Sequence, residues 1–249
     1  MVAVVRMTID DALHISATKR AEIIASYPPH EVEARTRGIP SMGSGRVFPV
    51  TEESITFRLF DPPRHWPQIG GLDFGWDHPT AAVRVAWDRD ADIAYVMSAY
   101  RRREATPIEH CATLKRWGRM PWAWPADGYQ RDKRSGGTLR NDYQDHGLNM
   151  IATHAQFPDG GNGVEAGIMA MLERMQTGRL KVADHLEDWW SEFRMYHRKD
   201  GLIVKERDDL MDATRYAMMS LRLADAPEFY ENDWQEQRGD NSRNRTTGY

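Results

Sequence analysis

Several features that would assign this chain to other protein classes are scarce in its sequence. Cys111 is the single cysteine among 249 residues, so an intrachain disulfide and a zinc site built from several thiolates are both excluded. We therefore expect a reducing compartment. No apolar run approaches the roughly 20 residues that a membrane-spanning helix needs, and the N-terminal residues lack the layout of a signal peptide. The expectation is a globular protein without a membrane partner.

Two further absences concern nucleic acids and nucleotides. The formal net charge is −4, from 33 Lys and Arg against 37 Asp and Glu, and typical nucleic-acid binders are basic. Any DNA contact must then depend on local clusters of positive charge. The phosphate-binding pattern G-x-x-x-x-G-K-[ST] does not occur, and the glycine-rich stretch 38–45 lacks its lysine. We therefore expect no ATPase activity in this chain.

Breaker residues and hydrophobic patterning divide the chain into three regions. Residues 1–66 carry a helical pattern after Ser16 and then repeated prolines and glycines, which predicts a linker with little core of its own. Residues 67–224 carry the periodic patterns of a folded body. Residues 225–249 are polar and without periodicity, which predicts a disordered tail.

The folded body is predicted to be an α/β domain. A short apolar run at 69–74 and apolar–polar alternation at 80–87 and 93–100 predict three consecutive strands. Shorter patterns then predict a helix from Thr106, a strand at 121–126, a helix at 138–145, a strand at 148–152, helices at 162–176 and 184–197, a small strand at 202–204 and a last helix at 208–223. This order predicts a mixed sheet flanked by helices.

Three aspartates occupy positions where a charged side chain is costly unless it has a partner. Asp73 ends one apolar strand, Asp127 follows another, and Asp212 lies in the last helix, one turn after Asp208. Carboxylates suit Mg²⁺ or Mn²⁺, and two such ions about 4 Å apart can hold the attacking water and the leaving oxygen of a phosphodiester. An aspartate in such a place is also a common turn residue or helix cap. The spacing alone leaves both interpretations open.

Three strings resemble the large terminase subunit of tailed phages, and in particular the C-terminal nuclease domain of its headful-packaging members. The strings are Gly71-Leu-Asp73-Phe-Gly-Trp-Asp77-His-Pro79-Thr-Ala81, Trp124-Pro-Ala-Asp127-Gly128 and Asp208-Asp-Leu-Met-Asp212-Ala-Thr-Arg215-Tyr-Ala217. The resemblance implies an RNase H-like fold. It also implies that Asp73, Asp127 and Asp212 are catalytic and bind two Mg²⁺ or Mn²⁺ ions. Asp208 and Asp209 are additional metal-ligand candidates.

The same resemblance implies a function. It indicates a metal-dependent endodeoxyribonuclease that cuts concatemeric double-stranded viral DNA during genome packaging in the host cell cytoplasm. The implied partners are double-stranded DNA, the portal protein and procapsid, the small terminase subunit, and the ATPase domain of the same large subunit. Residues 1–66 resemble the end of that ATPase domain and its linker, so we expect a fragment or one half of a split protein. Because the sequence pattern leaves no heptad repeat and no extended apolar face exposed, we expect this fragment to be a monomer.

Two alternatives to a packaging nuclease stay open. The chain could be a portal or procapsid docking module with latent nuclease activity. It could also be an RNase H-like resolvase of DNA junctions.

Positive charge clusters beside two of the aspartates. The candidates for phosphate contacts are Arg131, Lys133, Arg134 and Arg140 after Asp127, and Lys205 and Arg207 before the last helix. A solvated charged loop is the other interpretation. Arg101 to Arg103 are expected to form a strand end that faces water. His78 is interpreted as a loop residue close to Asp77.

Overall fold

The computed structural model describes residues 8–12, 14–27, 36, 45–130, 137–199 and 201–226. Residues 227–249 of the predicted tail and the phosphate-contact candidates Arg131, Lys133 and Arg134 lie outside the described residues. The expectation of disorder was wrong for Asp225, the first residue of that tail, because it exchanges two backbone hydrogen bonds with Gln68, at 2.7 and 3.1 Å. Near the N-terminus, helix α1 (Ala17–Ala25) begins after Ser16, whose side chain accepts a hydrogen bond from the Lys19 backbone N–H at 3.3 Å. The predicted N-cap is therefore confirmed.

The folded body contains the predicted mixture of helices and strands. The later helices are α2 (Glu52–Ile55), α3 (Pro107–Leu114), α4 (Leu139–Asp145), α5 (Val164–Gln176), α6 (Glu187–Met195) and α7 (Asp209–Met219). The strands are β1 (Thr56–Phe57), β2 (Gln68–Asp73), β3 (Thr80–Asp88), β4 (Ile93–Arg102), β5 (Pro121–Ala123), β6 (Asn149–Met150), β7 (Leu180–Ala183), β8 (Arg198–Lys199) and β9 (Leu202–Ile203).

The described strands form a seven-stranded mixed sheet and a separate two-stranded hairpin of β8 and β9. The order in the large sheet is β1-β7-β4-β3-β2-β5-β6. Strands β2, β3 and β4 are antiparallel neighbours, whereas β5 runs parallel to β2, with Gly71 opposite Ala123. The predicted α/β class with a mixed sheet flanked by helices is confirmed.

Strand β7 was not anticipated from the sequence. It lies between β1 and β4 and pairs parallel with both, and Leu180, Val182 and Ala183 are fully buried. Its four residues follow helix α5 after a three-residue connection that contains Gly178. Four residues are the shortest run in which alternation can be recognised, and β7 ends in two consecutive apolar residues, Val182 and Ala183, which break the alternation.

The stretch from Arg46 to Phe57 also differs from the expectation of a linker with little core. Val47, Phe48, Val50 and Ile55 are buried in the main core, and β1 pairs with β7 at the edge of the sheet. These apolar residues are separated by prolines and polar residues, so their sequence has no periodic pattern. They are buried because distant segments cover them: Phe48 stacks on Phe193 of α6, and helix α2, which ends at Ile55, packs on α5 and β7.

Helix α7 is buried along almost its whole length and packs directly on β2. A Cβ atom at Gly71 would collide with the Ala213 carbonyl, so only glycine lets the helix backbone approach the strand this closely. The close approach brings Asp212 of α7 to the end of β2, where Asp73 lies. No helix in the described part of the chain is long and apolar enough to span a bilayer.

Candidate metal centre

A cleft of about 560 Å³ opens at the end of the sheet where the central strands β2 and β4 stop and helix α7 begins. Acidic and basic side chains dominate its wall. The lining residues are Asp73, Phe74, His78, Pro79, Arg101, Arg103, Asp127, Lys205, Glu206, Arg207, Asp208, Asp209, Asp212 and Tyr216. All five aspartates that the sequence singled out therefore line one cleft.

The topology explains why the three principal aspartates converge. Asp73 is the last residue of β2. Because β5 runs parallel to β2, the turn that follows β5 (Ala126–Tyr129) brings Asp127 to the same edge. Asp212 lies in the first turn of α7, which packs against β2. The sequence alone could not establish this convergence, since it depends on strand pairing and helix packing.

Burial, together with the crowding of negative charge, determines the electrostatics of Asp73. Burial raises the pKa of the Asp73 carboxyl well above its ordinary value, and the charges of Asp212 and then Asp127 raise it further. Desolvation and like charges both disfavour the ionised form. A bound cation is the kind of partner that would offset this penalty.

Asp127 and Asp208 experience the same desolvation. Asp127 keeps contact with solvent, yet partial burial of its carboxylate raises its pKa, although backbone N–H groups of Asp127 and Gly128 favour the charged form. Burial, followed by the charge of Asp212, raises the pKa of Asp208. The buried Oδ2 of Asp208 accepts no hydrogen bond from any described residue, and the Lys205 Nζ lies 3.8 Å from it.

Asp212 is held by two cationic side chains. The buried guanidinium of Arg215 lies one turn further along α7, with its Nη2 3.0 Å from Asp212 Oδ1. The Lys205 ammonium lies 3.2 Å from Asp212 Oδ2. These contacts fix the orientation of the carboxylate, because each oxygen has its own cationic partner.

Arg101 is placed differently from the expectation of a water-facing strand end. Its Nη2 lies 3.1 Å from Asp209 Oδ2 and its Nε lies 3.0 Å from Glu192 Oε1, and 23% of the side chain is exposed. For Arg101 the expectation was wrong because two carboxylates from distant segments, α6 and α7, pack against this end of β4. Arg102 and Arg103 are exposed, as expected. Arg103 also faces the cleft.

Glu192 was not anticipated at all. This α6 residue is 2% exposed, and its Oε2 accepts a hydrogen bond from the Leu210 backbone N–H at 2.6 Å, at the start of α7. Burial raises the pKa of Glu192 to about 7, although the Leu210 N–H and Arg101 favour the charged form. The side chain thus connects α6 to the first turn of α7, which carries Asp209 and Asp212.

His78 reaches the cleft from the loop after β2. Its Nδ1 lies 3.2 Å from Asp209 Oδ1. Asp73, His78 and Asp209 each offer one possible metal-ligand atom, and these three atoms lie within 4.8 Å of one another. His78 is a loop residue, as interpreted from the sequence, but one that also faces the carboxylates.

The described phosphate-contact candidates separate into two groups. Lys205 and Arg207 line the cleft, beside the aspartates. Arg140 instead donates to the Met150 carbonyl at 3.4 Å and to the Asn141 side chain at 3.0 Å. The structure therefore brings Lys205 and Arg207, but not Arg140, to the carboxylates.

Comparison with known proteins places this site in a family. Residues 70–221, well over half of the chain, match the model of the terminase RNase H-like domain. Residues 1–55 match the model of the N-terminal part of the T4likevirus-type terminase large subunit. The chain is 48% identical over 226 residues to the terminase large subunit of Enterobacteria phage LP7, a match that covers 90% of this chain and 48% of that protein.

Solved structures agree with the sequence match. The nuclease domain of the phage P22 large terminase is 44% identical, with a TM-score of 0.69, and the match covers 75% of this chain and 97% of that one. The nuclease domain of the large terminase g2p from bacteriophage SPP1, solved with bound Mn, is 18% identical with a TM-score of 0.50 over 67% of this chain and 94% of that one. The second likeness concerns the fold alone.

The chain spans about half the length of the curated relatives that it matches. The match to the terminase RNase H-like domain, residues 70–221, nevertheless includes every residue that lines the acidic cleft. The chain belongs to the large-subunit terminase family of bacteriophages and contains its RNase H-like domain.

Proposed function

We propose that this chain is a metal-dependent endodeoxyribonuclease that cuts concatemeric double-stranded viral DNA during genome packaging. The observation that carries the proposal is the meeting of Asp73, Asp127 and Asp212 in one cleft. Membership of the large-subunit terminase family and similarity to the P22 nuclease domain support it.

The residues in the cleft fit divalent cations. Five aspartates supply the oxygen ligands that Mg²⁺ and Mn²⁺ prefer. Burial and mutual repulsion raise the pKa of Asp73, and the Oδ2 atom of Asp208 lacks a hydrogen-bond donor among the described residues. Both features favour a bound cation. We propose Asp73, Asp127 and Asp212 as the ligands of two ions, with Asp208 and Asp209 as further ligands.

Bound divalent ions would supply Lewis acidity, which activates a water molecule and offsets the charge that develops on the leaving oxygen of a phosphodiester. The task of the chain is placement. Glu192 and Arg101 hold the start of α7 and the carboxylate of Asp209 in position. Arg215, buried beneath the cleft, holds Asp212. Such fixed charges need no reorganisation when the substrate reacts.

The basic part of the wall is suited to the DNA backbone. Arg103, Lys205 and Arg207 line the cleft close to the carboxylates. Phosphate contacts of this kind position a duplex without reading its sequence. We therefore propose that these residues orient the strand and that the chain has little sequence preference of its own.

Other parts of the packaging machinery would supply specificity. We propose as partners the ATPase domain of the large subunit, the small terminase subunit, and the portal and procapsid, all acting in the host cytoplasm. The match of residues 1–55 to an N-terminal terminase model supports an ATPase-side origin for that segment. Because an isolated nuclease lacks the parts that hold DNA in place, we expect its cutting to be weak.

The test is cleavage of a supercoiled plasmid by this chain with Mg²⁺, with Mn²⁺ and with EDTA. The proposal predicts nicking and linearisation in the presence of metal and none in EDTA. A parallel reaction on a four-way junction separates the rivals, since preferential cutting of the branched substrate would favour a resolvase. Absence of cutting at high enzyme concentration with either metal would favour a docking module.

A further inference from the structure

The loop between β2 and β3 brings a nitrogen atom to the cluster of carboxylates. His78 Nδ1 lies 3.2 Å from Asp209 Oδ1, and ligand atoms of Asp73, His78 and Asp209 lie within 4.8 Å of one another. Two ligands on opposite sides of one ion, each about 2.1 Å from it, are about 4.2 Å apart. Small rotations of the side chains would therefore bring all three atoms within coordination distance of one ion.

The loop is built so that His78 stays beside the cleft. Thr80, which is 1% exposed, donates to the Gly75 carbonyl at 2.8 Å and accepts from the Gly75 N–H at 3.1 Å. A Cβ atom at position 75 would lie 2.6 Å from His78 Nδ1, so only glycine permits this loop conformation. The imidazole is thus held by the loop although 60% of its side chain is exposed.

Asp209 is oriented to leave one oxygen for a ligand. Its Oδ2 is paired with Arg101 Nη2 at 3.1 Å, and Arg101 is held in turn by the buried Glu192. This leaves Oδ1 on the side of His78. Partners of this kind behind a ligand fix its orientation and contribute to metal affinity.

A separate observation points to a cation in the same cleft. Asp208 is 8% exposed and lines the cleft, yet its buried Oδ2 accepts no hydrogen bond from the described part of the chain. The ammonium of Lys205 lies 3.8 Å away, beyond hydrogen-bond distance. A buried carboxylate oxygen that accepts no hydrogen bond is a further potential ligand for a metal ion.

We propose that His78 joins Asp73 and Asp209 as a metal ligand, and that this mixed nitrogen–oxygen site, in the cleft that Asp208 also lines, binds a transition-metal ion of the Mn²⁺-to-Zn²⁺ series in preference to Mg²⁺. The inference rests on the proposed metal-dependent function and specifies which metal the site selects. Imidazole is a favourable ligand for transition metals, whereas Mg²⁺ demands oxygen ligands in near-ideal octahedral geometry. His78 is then the residue that determines metal preference.

The test measures metal binding rather than cleavage. Titration calorimetry of the full chain with Mn²⁺ and, separately, with Mg²⁺ compares the parent with His78→Ala and with His65→Ala, which removes an exposed histidine outside the residues that line the cleft. We expect His78→Ala to weaken Mn²⁺ binding about tenfold and Mg²⁺ binding much less. We expect His65→Ala to change neither.

Electron-spin-echo spectroscopy of bound Mn²⁺ gives a second readout. The parent and His65→Ala should show modulation from a coordinated ¹⁴N nucleus, and His78→Ala should not. Absence of nitrogen modulation in the parent, or equal loss of Mn²⁺ and Mg²⁺ affinity in His78→Ala, would overturn the proposal.

The two proposals fail separately. A parent that binds Mn²⁺ through nitrogen but cuts no DNA retains the metal site and contradicts the nuclease. If the parent cuts DNA and the His78→Ala variant keeps the metal preference of the parent, the nuclease proposal stands and the His78 metal site is contradicted.

Discussion

The buried Glu192 predicts a specific dependence of stability on pH. Its pKa is about 7 in the folded protein against an ordinary value of 4.5, and burial is the main cause. Between pH 4.5 and about pH 7, the Glu192 carboxyl therefore keeps its proton in the folded protein but releases it in the unfolded chain. Stability must fall as pH rises through this window.

The magnitude follows from the two pKa values. At 1.36 kcal/mol per pKa unit, the difference between 4.5 and about 7 corresponds to about 3 kcal/mol when Glu192 is fully ionised. Between about pH 5 and about pH 7.5, about 2 kcal/mol of this is lost. For a domain whose total stability is roughly 5–15 kcal/mol, the effect is large.

The substitution that isolates this contribution is Glu192→Gln. The glutamine can still accept the Leu210 N–H hydrogen bond, but it does not titrate. Urea unfolding in EDTA at about pH 5 and about pH 7.5 should show the parent losing about 2 kcal/mol more than the variant. Glu187→Gln, an exposed position on the same helix, should behave like the parent. If the parent and Glu192→Gln lose the same stability, the assignment of a raised pKa to Glu192 is wrong.

Three further predictions concern the cleft and its support. Asp73→Asn should raise the melting temperature in EDTA at neutral pH, because it removes a carboxylate whose ionised form is destabilised; a lower melting temperature would contradict the crowding argument. Gly71→Ala should cost about 1–3 kcal/mol in urea unfolding, since its Cβ collides with the Ala213 carbonyl. Gly163→Ala, whose Cβ would make only an ordinary contact with the Ala166 Cβ at 4.0 Å, should cost less than about 1 kcal/mol. Lys205→Gln should weaken DNA binding and reduce its salt slope by about one, measured by fluorescence anisotropy; an unchanged slope would exclude a phosphate contact by Lys205.

Much of the fold could be predicted because its principal elements carry long local patterns. Strands β2 to β4 are six to ten residues long, with most residues of β2 and β3 buried, and α5 repeats apolar residues over three turns. Strand β7 could not be predicted, since its four residues acquire their role only between β1 and β4. The burial of Phe48 and Ile55 has the same origin, because the partners that cover them come from distant parts of the chain.

The site was predictable to a similar degree and for similar reasons. An aspartate at the end of an apolar strand, such as Asp73, is visible in the sequence because its position is costly. The resemblance to terminase nucleases selected the same residues. Arg101 and Glu192 carry no such local signal, since they meet only when α6 packs against α7 and β4.

The measurement that tests the central claim most directly is plasmid cleavage in Mn²⁺ by the parent, by Asp73→Asn, Asp127→Asn and Asp212→Asn, and by Asp159→Asn as an exposed control. The account predicts that the parent and Asp159→Asn cut the plasmid, and that each of the other three variants loses cleavage while remaining folded by circular dichroism. If any of those three folded variants cuts as well as the parent, that residue is not part of the catalytic centre, and equal cutting by all three would contradict the three-aspartate mechanism.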